Sequence, residues 1–224
     1  MTGTRITLFL FLITIAATIA ACGTSTGPAS TTVTAPAPGS TFVFHYYQLD
    51  SKGAAIAEGA GYDTVSVVAT GTSYVSKTNV THFHLSTGAD WYYNYETNGD
   101  FSIYHSAGSD PHKRAGWITL PIASKTLQRF VDADTTQIDG THWQDSMYVS
   151  YHADESISLA NHSFHAVVIN VLQNTTAGVY GTNGTLWLSP EIGLEIEDDY
   201  PWGQLTTANV FYGSHRELVA YTLK

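Results

Sequence analysis

The chain predicts an all-β fold, a single antiparallel sheet curved into a half-barrel or barrel, with at most one short helix. Three observations carry that expectation. Apolar and aromatic side chains recur at period two along many short segments, as half-buried strands require. Turn-forming clusters of Gly, Asn, Asp and Ser separate those segments at intervals of roughly ten residues. Of the 224 residues, 12% are aromatic and only 12% charged, with one Cys and 10 His. That composition excludes a disordered chain, a coiled coil and a disulfide scaffold. Nine Lys and Arg against 19 Asp and Glu give a net charge of −10, which leaves no basic footprint for nucleic acid.

Residues 1–21 come first. Arg5 precedes the run Ile6 to Ala21, uncharged and mostly apolar, which ends in small residues before Cys22. A helix of that length rises about 24 Å, short of the roughly 30 Å hydrocarbon core, so the run reads as an export signal rather than a membrane span. Ile19-Ala20-Ala21-Cys22 resembles the bacterial lipobox. The resemblance implies cleavage before Cys22 and attachment of acyl chains, palmitate among them, to the new N-terminus. Two or three such chains anchor a protein durably. Gly23 stands where an aspartate would resemble an inner-membrane retention signal, so the expected address is the outer membrane of a bacterial cell envelope. The only cysteine in the chain falls at the anchor position. None is then left for an internal disulfide, a thiolate nucleophile or a thiolate zinc site.

Residues 22–41 follow as the lipidated cysteine and an uncharged Ser/Thr/Pro/Ala/Gly linker. The folded domain is expected over 42–224. Phe42, Phe44 and Tyr46 alternate with Val43, His45 and Tyr47, and Val65 and Val67 follow a Gly-rich break. Trp91, Tyr93 and Tyr95 share one strand face, and Phe101, Ile103 and His105 share the next. Between them Asn98-Gly99 is a strong hairpin signal, because both residues tolerate positive φ. Ile122, Leu127, Phe130 and Val131 have loosely helical spacing behind Ser124, a plausible N-cap, so a short helix is expected within 122–133. Met147, Val149 and Tyr151 resume the alternation. Phe164 to Leu172 is apolar on both faces and reads as the central, doubly buried strand. Breaks are expected at Ser51 to Gly53, Asp139-Gly140 and Thr182 to Gly184.

Gly184-Thr185-Leu186-Trp187-Leu188-Ser189-Pro190-Glu191-Ile192-Gly193 resembles a segment of uncharacterised β-rich envelope lipoproteins of Bacteroidota-like bacteria. Arg216 to Lys224 resembles their closing strand. The resemblance implies a curved or barrel-like antiparallel sheet and no particular chemistry. Physically, Trp187 lies on a strand, Pro190 ends it, and Gly193 turns the chain into the next strand.

The expected function is therefore that of a lipid-anchored, non-enzymatic binding or structural module. Trp91, Tyr93, Trp117 and Trp143 are the candidate ligand-face aromatics, for an apolar molecule or a glycan. The alternative is a metal-binding protein or metal-dependent hydrolase. His82-Phe83-His84 puts two imidazoles on one strand face, and His105, His152, His162 and His165 are further candidate ligands. No HExxH or S-x-x-K motif supports a specific hydrolase, and no cofactor is implied. Glu195 and Glu197 alternate with apolar neighbours and read as the wet face of a strand. Glu197-Asp198-Asp199 reads as a solvated loop. Asp132, Asp134 and Asp139-Gly140 only partly match a calcium loop.

Overall fold

The computed structural model describes residues 33–50, 52–106, 114–136, 142–175, 181–200 and 213–224. The expected signal peptide, Cys22 and the first half of the linker lie outside the described residues. So do the Asp139-Gly140 break and the side chains of Asp132, Asp134 and Trp143.

Among the described residues, twelve antiparallel strands form one sheet. In chain order they are β1 (Thr41–Leu49), β2 (Ala55–Tyr74), β3 (Lys77–Leu85), β4 (Asp90–Tyr95), β5 (Phe101–His105) and β6 (Gly116–Leu120). The second half holds β7 (Gln128–Thr136), β8 (His142–Leu159), β9 (His162–Thr175), β10 (Gly181–Ser189), β11 (Leu194–Tyr200) and β12 (Gly213–Thr222). The spatial order is β6-β5-β4-β3-β2-β1-β12-β11-β10-β9-β8-β7, two six-stranded meanders joined where β1 pairs with β12. The sheet curls until its two edges approach. A Cβ added to Gly116 on β6 would lie 2.8 Å from the Phe130 ring of β7, so the absence of a side chain lets the edges meet. The result is a nearly closed barrel. The all-β expectation holds.

Alternation explains the interior. Phe42 and Phe44 of β1, Val65 and Val67 of β2, Phe83 and Leu85 of β3, Tyr93 and Tyr95 of β4, and Phe101 of β5 all point inward and are buried. Phe164, Ile169, Leu188 and Leu218 meet them from the other half. Each fully buried Phe contributes about 1.5–3 kcal/mol of transfer free energy, so this shared interior is what closes the barrel. The Asn98-Gly99 turn is present. Gly99 adopts φ +89°, and Glu96 N–H donates to the Asp100 carbonyl at 2.9 Å.

Four expectations are corrected. No helix forms within 122–133, where Pro121 to Thr126 is a turn and connector and β7 takes over at Gln128. The buried Asp100 carboxylate accepts from the Ala123 and Ser124 amides at 2.8 and 2.9 Å, and Lys125 has φ +53°. Both features stop a helix before its first turn closes. The Phe164–Leu172 segment is buried on both faces up to Ile169, but it lies in β9, third from the β7 edge, while β1 and β12 hold the centre. Thr182 to Gly184 is not a break and lies inside β10. Asp198 is not in a loop: Leu194–Tyr200 is strand β11.

Residues 33–40, the second half of the expected linker, pack against the barrel. Val33 is buried, Thr34 N–H donates to the Pro190 carbonyl at 3.4 Å, and Gly39 N–H donates to the Val67 carbonyl at 2.9 Å. Their dock is the Pro190–Gly193 turn between β10 and β11. Gly193 has φ +65°, and a Cβ there would fall 2.1 Å from the Thr34 carbonyl oxygen. The buried Tyr95 hydroxyl donates to the Gly193 carbonyl at 2.7 Å. Only glycine allows this backbone approach.

Candidate functional site

Phenylalanine and aliphatic side chains fill part of the barrel interior, and beside them lies a cavity of about 680 Å³. Its size falls in the usual range for small-molecule sites, about 300–1,000 Å³. Ile103, Ile118 and Leu120 line it from β5 and β6, and Met147, Val149, Val171 and Leu186 line it from β8, β9 and β10. Tyr46, Trp91, Tyr93 and Tyr200 bring aromatic rings to it. Among the described residues it is open to solvent.

A buried charge cluster sits in this apolar setting. Arg216 of β12 donates from Nε to Asp198 Oδ2 at 2.6 Å and from Nη2 to Glu195 Oε1. The guanidinium carbon also lies 4.8 Å from the Phe44 ring centre and 4.7 Å from that of Trp91. Side-chain exposure is 17% for Arg216, 7% for Glu195 and 8% for Asp198, so water screens the cluster little. Burial pushes the Glu195 carboxyl up to about 8 despite the pull of Arg216, and the Asp198 charge adds to the rise. Burial would lower the Arg216 guanidinium, but Asp198 and Glu195 hold it above its ordinary value. At neutral pH burial thus favours the protonated form of Glu195 beside the Arg216 guanidinium.

The wet-face reading of Glu195 is corrected by a bulge. Leu188 pairs with Glu195 while the adjacent Trp187 pairs with Glu197, leaving Ile196 as the extra residue of β11. A bulge reverses the alternation beyond it. Glu195 accordingly lines the cavity, Glu197 faces outward with Trp187, and Asp198 turns inward again. Glu197 remains partly shielded, 3.8 Å from His215, and burial with neighbouring Glu217 and Asp199 pushes it to about 7.

Of the aromatics singled out by sequence, Trp91 and Tyr93 come together on the cavity wall, with parallel rings 6.4 Å apart. Trp117 does not join them. It stands on the outer face next to Tyr104, its ring 5.3 Å away, and its Nε1 donates to the Val75 carbonyl at 2.8 Å. In the same outer cluster Tyr74 stacks on Tyr92 at 3.7 Å, and His82 stacks on Tyr92 at 4.8 Å. These rings spend their faces on each other, which stabilises adjacent strands and leaves less flat surface for a sugar.

His82 and His84 do converge, but on a carboxylate. His82 Nε2 and His84 Nδ1 each lie 2.9 Å from Asp90 Oδ1. Hydrogen bonds from His84 and His82 hold the Asp90 carboxyl below its ordinary value. Among the described residues, no group of three or more His, Cys, Asp or Glu is placed to hold a metal ion. His162 lies near Glu191 at 3.4 Å, in the turn after β10 and remote in sequence from this pair.

No protein-family model matches the chain, and no curated protein matches it significantly. Solved structures show distant likeness. A candidate lipoprotein from Parabacteroides distasonis shares 14% identity over 86% of this chain and 98% of its own, with a TM-score of 0.48. A candidate exported protein with YmcC-like fold from Bacteroides fragilis shares 12% over 85% and 99%, at 0.44. The hypothetical lipoprotein YmcC of Escherichia coli shares 12% over 82% and 84%, at 0.39.

Proposed function

We propose that this chain is a lipid-anchored protein of the bacterial cell envelope, held at the outer membrane through Cys22, whose barrel interior binds a small apolar molecule without transforming it. The single observation that carries the binding role is the cavity of about 680 Å³ walled by Ile103, Ile118, Met147, Val149 and Leu186. Its aliphatic walls offer area for dispersion contact, which suits an acyl or alkyl chain. The anchor rests on the lipobox-like Ile19 to Cys22 and on the absence of any second cysteine.

The test uses the full chain in maltoside micelles and the neutral fluorophore N-phenyl-1-naphthylamine. Wild type should enhance its emission saturably above the micelle background. Met147→Trp, which fills the cavity from β8, should abolish that increment while the protein still unfolds cooperatively. Equal emission from wild type and Met147→Trp would refute a cavity ligand. Palmitate labelling that survives Cys22→Ala would refute the anchor.

A further inference from the structure

The charge balance of the cavity narrows what its occupant carries at its polar end. Two interior carboxyl groups, Glu195 and Asp198, face a single guanidinium. Arg216 has already committed Nε to Asp198 and Nη2 to Glu195. Phe44 and Trp91 also lie against it, at 4.8 and 4.7 Å. An anionic head would have to approach that shielded cation past two acidic groups. A cation meets the opposite situation. It finds acidic oxygens in excess of the buried positive charge and, close by, the π-systems of Trp91, Tyr93 and Tyr200, which attract ammonium groups. From there the aliphatic wall of Ile118, Met147 and Val149 continues along the same cavity.

We propose that the occupant is a cationic amphiphile, an alkylammonium whose head sits against Glu195 and Asp198 and whose chain runs along the aliphatic wall. This rests on the cavity-binding reading above and specifies the ligand class. Binding has a proton consequence. The groups facing Glu195 are Arg216, Asp198, Tyr93 and Tyr200, and burial holds both tyrosines well above their ordinary value. The other titratable groups on the cavity wall are Tyr46, Tyr104, His105, His215, and Asp90, which His82 and His84 hold at 2.9 Å. With the Glu195 carboxyl held above its ordinary value by burial, an incoming cation at pH 7 favours its ionisation and so releases a proton.

The experiment is titration calorimetry of the full chain in maltoside micelles with octyltrimethylammonium, octanol and octanoate, each in two buffers of different ionisation enthalpy. The ammonium should bind at least ten-fold more tightly than octanol, with octanoate weakest, and only the ammonium should release a proton. In Glu195→Gln the proton release should vanish and the ammonium preference over octanol fall below three-fold. The wild-type proton count stands as evidence even if that variant folds poorly. Octanoate binding as tightly as the ammonium would overturn the head-group inference and leave the cavity reading intact. So would equal binding of all three without proton release. Failure of all three probes to bind would overturn both.

Discussion

Glu195→Gln should make this protein more stable, and increasingly so as pH rises. In the folded chain burial holds the Glu195 carboxyl near 8, whereas the exposed side chain ionises near 4.5. Between those values the folded state keeps a proton that the unfolded state releases. Stability therefore falls with rising pH, by about 1.4 kcal/mol per unit, with the full contribution present only below the unfolded value. Integrated from pH 5 to pH 8, the loss is on the order of 3 kcal/mol. Gln is nearly isosteric and never ionises. Its carbonyl oxygen can still accept from Arg216 Nη2, and its amide can donate toward Asp198 as the carboxylic acid does. The assay is urea unfolding of wild type and variant at pH 5, 6, 7 and 8. Subtracting one series from the other cancels the titration of Glu197 and of the histidines. A difference near zero at pH 5 that grows to a few kcal/mol in favour of the variant at pH 8 is the expected result. A variant destabilised equally at every pH would refute the reasoning, because it would mean that Glu195 is ionised in the fold and held by Arg216.

Two further substitutions probe how the barrel ends are organised. Gly193→Ala forces a Cβ to within 2.1 Å of the Thr34 carbonyl oxygen at φ +65°. It should cost more than about 2 kcal/mol in urea unfolding and expose residues 33–40 to limited proteolysis. A change within about 0.5 kcal/mol, the range of ordinary surface substitutions, would contradict the docking of that segment. Asp100→Ala removes the acceptor of the Ala123 and Ser124 amides. It should destabilise by about 1–3 kcal/mol and speed hydrogen exchange at those two amides ahead of the rest of the domain. Unchanged exchange there would mean that another acceptor holds the turn.

Strand positions were legible in sequence wherever one face of a strand met the interior. Phe42 and Phe44, Trp91 with Tyr93 and Tyr95, and the Asn98-Gly99 hairpin were all visible, because alternation and positive-φ turn residues are local signals. The helix expected over 122–133 was a local signal too, and it lost to a distant one: the carboxylate of Asp100 holds the two amides on which that helix would have started. Pairing order was out of reach. Nothing in Thr41 to Leu49 announces that β1 will close onto β12 instead of standing at an edge, since a strand's neighbours depend on the whole meander.

The candidate site was illegible for a sharper reason. Glu195 and Asp198 are three residues apart, so strict alternation assigns them to opposite faces, and Glu195 with Glu197 to the same one. Inserting Ile196 as a bulge inverts both relations. The two acidic groups then reach the same cavity, and Arg216 can bond to both from the neighbouring strand. Removing one partner from such a buried cluster typically costs about 3–5 kcal/mol, while an apolar cluster of equal volume is often as stable or more so. Core stability alone therefore gives little reason for the chain to place charge here. The cavity gives one, because the bulge at Ile196, whose own side chain is fully buried in the core, brings two acidic side chains into a largely aliphatic and aromatic space. Bulges concentrate where a sheet must re-aim a side chain for use, and Ile196 re-aims two.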